Sequence, residues 1–525
     1  MPTAEPLRIH PSLAPSEPTS TALSIVDTAC SDFFSFSAAK LYAAPPAGST
    51  DPFQPALLSR SLAHILSAYP HWAGSLRLSR PEDKGSAYQK RFGRVWVDYA
   101  SPRDPGVDLV YRERSEELAP LLPPSTPREL YSAATLADAD IYPPGEVVVR
   151  LRPEVVPGPA FAIRFTRFSC GGVAIGFRIS HTIADATSLN QFCIDWADEH
   201  RVLVETGSLE HHKLPVRPFD PAAVDAHALG DLDAASADEE LEREYARVPR
   251  TAMDLWLNPE SHPPGTVNSS APPDSLLPHL DPAQLAPRGQ PAPWHTWDVS
   301  APVALQTVAL SPADLARIYS HARASAPPGT RVTAHDALVA HFWRLSMRAR
   351  SHSPESDTPL SLTPAIGVRA RLDPPLPPDA VGSLFLLFSG RTTAREILSA
   401  GGLGAAAGAI RSSINSATPR ALGVVLHHLA HEVDPIRVRP SFCGDEHLSM
   451  STWIGAGSYD ADFGSGAPVY AEGVLPAVDN MLLFEDVAGD RSAKWHERGA
   501  RVKLALREDV MGRVLADPEL YGPDE

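Results

Sequence analysis

The sequence predicts a mixed α/β protein of two packed domains joined by a long crossover. Three observations carry this expectation. The chain has 525 residues, 43% of them hydrophobic, whereas single hydrophobic cores stop growing at about 250–300 residues. Helical and strand periodicities alternate in both halves. Between the halves lies a stretch rich in Pro, Asp, Ala and His, in which proline pairs interrupt any long element.

Residues 1–20, rich in Pro and Ser, read as a loose lead-in. From Pro55 to Tyr69, Leu57, Leu58, Leu62, Ile65 and Leu66 recur at helical spacing, and Pro70 ends the helix. At Phe161 the period becomes two. Phe161, Ile163 and Phe165 alternate with smaller or polar residues, Cys170-Gly171-Gly172 turns the chain, and Val173, Ile175, Phe177 and Ile179 alternate again. This is a β-hairpin. A helix starting at Thr187 or Ser188 follows, with Leu189, Phe192, Ile194 and Trp196 on its inner face.

The expected domains are 1–205 and 299–525, with a crossover at 206–298 broken by Pro263-Pro264-Gly265, Pro272-Pro273 and Pro291. In the second half, Ser311-Pro312-Ala313-Asp314 and Thr333-Ala334-His335-Asp336 are helix starts, each with a capping hydroxyl and an acid three residues on. Val502, Leu504 and Leu506 mark a strand, and a short helix around Val510 to Leu515 closes the chain.

A formal net charge of -17 makes the chain a poor general partner for nucleic acid or anionic membranes. Cys30, Cys170, Cys193 and Cys443 are far apart, which excludes a cysteine zinc site and a disulfide scaffold. No apolar run approaches membrane-spanning length, and the N-terminus carries no signal-peptide pattern. A cytoplasmic protein is expected.

The informative motif is Ser180-His181-Thr182-Ile183-Ala184-Asp185. His181 has the parity of Ile179, so it leaves the strand facing inward at a strand-to-helix turn. Imidazole titrates near neutrality and takes a proton from an alcohol or amine. With 20 histidines in the chain, His-x-x-x-Asp arises about once by chance. Alone, such a histidine is more often a strand-end residue bonded to backbone.

Other motifs lie in order around it: Leu23-Ser24-Ile25-Val26-Asp27, Tyr69-Pro70 with Ala73-Gly74, Thr333 to Arg350 with Trp343-Arg344, Arg369-Ala370-Arg371-Leu372-Asp373-Pro374-Pro375-Leu376-Pro377, Ser451-Thr452-Trp453, and Asp462-Phe463-Gly464-Ser465-Gly466. Together, nearly end to end, they resemble the BAHD acyltransferases, within them the fungal trichothecene 3-O-acetyltransferase-like branch. The sequence departs from the family pattern at Ala186 (usually Gly), Ser383 (usually Asn) and Ser465 (usually Trp), positions that bear on packing near the channel.

The resemblance implies two CAT-like (chloramphenicol acetyltransferase-like) α/β domains, each a mixed sheet flanked by helices, with a channel between them. It also implies an acyl-CoA co-substrate (acetyl-CoA by default), no tightly bound cofactor, a small alcohol or amine acceptor, and a site complete in a monomer. His181 would be the general base. Asp185 would turn away from it and pair with an arginine, Arg371 first and Arg369 second. Ser451, Thr452 and Trp453 would line the site and supply an oxyanion donor. Asp462, Gly464 and Gly466 would be structural on the CoA side. Alternatives are a carrier-protein-dependent condensation-type enzyme, against which Ser180 stands in place of a second histidine, an N-acyltransferase, and a non-catalytic relative. No metal is expected: His427-His428-x-x-His431 reads as an ordinary helix face, and neither a phosphate loop nor the kinase motifs that should accompany Asp-Phe-Gly occur.

Overall fold

The computed structural model describes residues 6–13, 17–31, 35–124, 128, 130–144, 158–263 and 271–522. The start of the lead-in and the Pro264-Gly265 break lie outside them. The predicted hairpin is present. Phe161–Arg167 and Val173–Ile179 pair antiparallel from Phe161↔Ile179 to Arg167↔Val173. They centre a six-stranded sheet in the order Leu7–Ile9, Val107–Glu113, Phe161–Arg167, Val173–Ile179, Phe36–Tyr42, Tyr470–Gly473. The helix Ala186–Thr206 packs Leu189, Phe192, Cys193 and Trp196 into the first core, beside Leu58, Leu62 and Ile65 of the helix Pro55–Ile65. That helix ends four residues before Tyr69 and continues as 3₁₀ turns at Leu66–Ala68 and Pro70–Ala73, separated at Tyr69, which precedes a proline and is pushed out of the α region (φ −127°, ψ 49°).

The second half builds an eight-stranded sheet. Its path runs Phe385–Leu387, Pro359–Gly367, His447–Thr452, Met481–Glu485, Ala500–Arg507, Val303–Leu310, Tyr131–Ser132, with Gly390–Thr393 also paired to Pro359–Gly367. Both predicted capping boxes form, Ser311 with Asp314 opening Pro312–Ser325 and Thr333 with Asp336 opening Ala334–Ala349. These helices close a second core around Phe342, Trp343, Phe484 and Val502.

Each sheet takes an edge strand from the other half: Tyr131–Ser132 pairs with Gln306 and Thr307, and Tyr470–Gly473 pairs with Phe36–Tyr42. The second exchange is clamped by buried charge. Glu472 accepts from Tyr142 Oη at 2.6 Å, Tyr470 Oη at 2.6 Å and Lys503 Nζ at 2.5 Å, and Lys503 is fully buried. Such a cluster holds only while each charge keeps its partners, so it ties the two halves together.

The described residues of the crossover run over the surface and are tied to both halves. Asp225 accepts from the Ile25 backbone N–H (2.8 Å) and Tyr88 Oη (2.9 Å), and Asp254 takes a two-pronged contact from buried Arg437 (3.0 and 2.7 Å). His427 and His428 tether it as well. His427 Nδ1 meets Leu229 O at 2.7 Å, and His428 stacks on Tyr245 with ring centroids 3.5 Å apart. Among the described residues, no helix is long and apolar enough to cross a membrane.

Candidate active site

His181 begins the turn that joins the strand Val173–Ile179 to the helix Ala186–Thr206. It stands where the halves meet. Its ring lies 4.8 Å from that of Phe36, in the first half, and 5.2 Å from that of Phe385, in the second. The side chain is set deep yet keeps some solvent access. Burial holds its pKa below the ordinary imidazole value, while backbone hydrogen bonds at His181 and Ala184 and the Asp185 charge pull weakly upward. The ring is therefore neutral at pH 7, the form a base requires.

Asp185 is the N-cap of the following helix, which consequently starts at Ala186, one residue earlier than its pattern suggests. It accepts from Ser188 N at 2.8 Å, Leu384 N at 3.1 Å and both terminal nitrogens of Arg369 at 2.6 and 3.1 Å. Its partner is Arg369, not Arg371, which corrects the order of preference drawn from sequence. The chain leaves its strand at Gly367 and turns, Arg371 N donating to Val368 O at 2.8 Å. Residues two apart share a face in a strand but diverge in a turn. Arg371 instead donates to Ile414 O at 3.2 Å. The Gly382 carbonyl, accepting from Asp185 N (3.1 Å) and Ser188 Oγ (2.9 Å), completes a joint between the histidine turn and segment 382–384.

That joint delivers a contact that sequence reasoning missed. Ser383 Oγ lies 3.0 Å from His181 Nδ1, and Ser383 is fully buried. Asp27 accepts from the Ser383 backbone N–H at 2.6 Å. Asp27 also closes a capping box with Ser24 over the short helix Ile25–Ala29. Burial raises its pKa to about 6, against the hydrogen bonds from Ser24 and Ser383. Cys30, at the end of that helix, takes a hydrogen bond from Ser383 Oγ at 3.4 Å. Leu23 to Asp27 was legible as a motif, but only the fold brings it to the histidine.

The strand His447–Thr452 sorts the oxyanion candidates by parity. Leu448 and Met450 point into the second core, and Thr452 shares their side. Ser451 and Trp453 take the opposite side, where the Trp453 ring lies 6.0 Å from that of Phe36, itself beside His181. Glycine is required at 473, because a Cβ there would sit 2.9 Å from the Trp453 ring. Asp462 Oδ1 accepts from Gly464 N at 2.7 Å and Gly466 N at 2.9 Å, both glycines having positive φ (104° and 96°). Phe463 then enters the first core, 5.0 Å from Trp196 and 5.7 Å from Tyr42. The motif is a pin fastening the second half to the first.

Two sheet-based halves that meet at His181 have the CAT-like architecture. A model of the Transferase family matches residues 146–520, more than half of the chain, and the protein belongs to that family, the BAHD acyltransferases. Acyltransferase AFT15-1 of Alternaria alternata is 24% identical, covering 88% of this chain and 86% of the relative. Hydroxycinnamoyl-CoA:piscidic acid hydroxycinnamoyltransferase of Actaea racemosa is 24% identical, covering 68% and 72%. Among solved structures, F. sporotrichioides TRI101 complexed with coenzyme A and T-2 aligns with a TM-score of 0.62 at 16% identity, covering 95% and 97%. Vinorine synthase aligns at 0.59 and 19%, covering 97% and 96%. The family's reaction is acyl-CoA-dependent acyl transfer, moving groups other than aminoacyl.

Proposed function

We propose that this chain transfers an acyl group, acetyl by default, from coenzyme A to a hydroxyl of a specialised metabolite. Acyl-CoA enters a channel between the halves from one face and the acceptor from the other. His181 removes the proton from the acceptor oxygen, the oxygen attacks the thioester carbonyl, and the imidazolium returns the proton to the departing thiolate. Ser451 Oγ–H or the Trp453 indole N–H steadies the oxyanion. Asp185 and Arg369 build the turn that aims the ring. The observation carrying this reading is the position of His181: neutral, solvent-reachable, and held between aromatic rings from both halves. A monomer suffices, since both halves belong to one chain.

An N-acyl reading draws support from relatives named for amine acceptors, such as tryptamine hydroxycinnamoyltransferase 2 of Oryza sativa, 25% identical. The test is thiol release from a panel of CoA esters offered alcohols and amines, with products weighed by mass spectrometry. Ester products support the proposal. Amide products alone replace it with the N-acyl reading, and turnover only with a loaded carrier protein replaces it with the condensation-type one.

A further inference from the structure

We propose that His427 is an acid-released clasp on the crossover, holding the loop from Leu229 to Asp238 while its ring is neutral and letting it go when the ring takes a second proton. The clasp involves no residue assigned to acyl transfer.

Both ring nitrogens of His427 meet backbone groups whose roles are fixed. A carbonyl oxygen only accepts, so Leu229 O at 2.7 Å requires a hydrogen on Nδ1. A backbone N–H only donates, so Asp238 N at 3.0 Å requires a bare lone pair on Nε2. The neutral ring meets both demands. The imidazolium, with hydrogens on both nitrogens, meets only the first. His427 is 1% exposed, so water does not replace the contact it would lose. Gly230 lets the loop come this close: its φ is 72°, and a Cβ there would sit 3.0 Å from His427 Nδ1.

The surroundings confine the effect. Facing the ring are Asp238 and Glu242 of the crossover, His431 of the same helix Pro419–His431 and, beside His431, Arg91 of the first half. Both carboxylates draw a proton towards His427, whereas a charge on His431 opposes one. Burial, with Arg91 and His427 adding to it, holds the His431 pKa down, so His431 stays neutral and leaves the proton to His427. The Asp238 carboxylate accepts from Glu240 N and Leu241 N at the start of the helix Glu239–Tyr245, and Glu242 accepts from His428 Nδ1 at 3.0 Å. Against burial, the hydrogen bond from His428 holds the Glu242 pKa below its ordinary value, so this second contact persists in mild acid. The helix stays held while the loop before it is freed.

Proton binding sets the direction. The closed clasp has no place for a proton on Nε2 and the open one has, so release grows as pH falls. A freed imidazole titrates near ~6.5, and one such proton raises the open fraction about 30-fold between pH 7.5 and pH 5.

The test is amide hydrogen exchange of the full chain at pH 7.5, 6 and 5, resolved at Asp238 and over residues 229–237, and corrected for the intrinsic pH dependence of exchange. In the wild type, the Asp238 N–H should lose protection about 30-fold across this range, while the strand Val303–Leu310 keeps its own. His427→Gln has no ionisable ring and should show one level of protection at all three pH values; His431→Gln should behave as the wild type. Equal wild-type protection of Asp238 at pH 7.5 and pH 5 overturns the inference. So does a parallel loss in Val303–Leu310, which means global loosening, or a His427→Gln protein that loosens with acid as the wild type does. The wild-type exchange at Asp238 decides even if a variant does not fold, since that N–H donates to His427 Nε2 itself.

Discussion

Replacing Asp185 by asparagine separates a structural acid from a catalytic one. Every contact the carboxylate makes is from a donor: Arg369 twice, Ser188 N and Leu384 N. Asparagine keeps the shape but offers one acceptor oxygen, so about half of these donors face an NH₂ group. Hydrogen bonds to a charged group contribute about 1.5–3 kcal/mol each. Removing one partner of a buried pair costs about 3–5 kcal/mol, and these side chains are only 10% and 11% exposed. Asp185→Asn should therefore lose about 3–5 kcal/mol. At about 2–4 °C per kcal/mol for a domain of this size, the melting midpoint should fall by about 10 °C. The assay is a thermal melt of wild type, Asp185→Asn, Arg369→Gln and the double variant. The double variant should lose much less than the sum of the singles, because both sides of the pair are then uncharged. An Asp185→Asn protein that melts like wild type but has no activity would refute the reasoning and make the acid a direct participant.

Other outcomes follow from the same geometry. His181→Ala should fold normally and lose at least about a hundredfold in kcat; retained turnover above a few per cent would remove it from the chemistry. The base works when neutral, so kcat/KM should hold at neutral pH and fall as pH drops through the His181 pKa, which burial places below the ordinary ~6.5; an acid limb above pH 7 contradicts this. Ser451→Ala should lower kcat with little change in melting, and Thr452→Ala, on the core side, should lower melting with kcat near wild type; the reverse would show that the strand's faces are misassigned. Gly473→Ala places a methyl 2.9 Å from the Trp453 ring, and overpacking of this kind costs about 1–3 kcal/mol, so both kcat and the melting midpoint should drop; an unchanged enzyme would mean that Trp453 is free to move.

Local signals settled much of the molecule in advance. The hairpin before His181, the helix after it and the capping boxes at Ser311 and Thr333 depend on residues a few positions apart. Periodicity and capping record such relations directly in sequence. The same locality made His181 stand out, since it ends an apolar strand with an acid four residues on.

What the chain's order could not express are contacts between distant segments. The choice of Arg369 over Arg371 turns on where a strand ends. Ser383 reaches a histidine 202 positions away, and Asp27 reaches the backbone of Ser383 from 356 positions away. The exchanged strands Tyr131–Ser132 and Tyr470–Gly473 join sheets to which their place in the chain does not assign them. Each of these is fixed by burial and by the need of buried polar groups for partners. That need is met by whichever group folding brings near, whatever its position along the sequence.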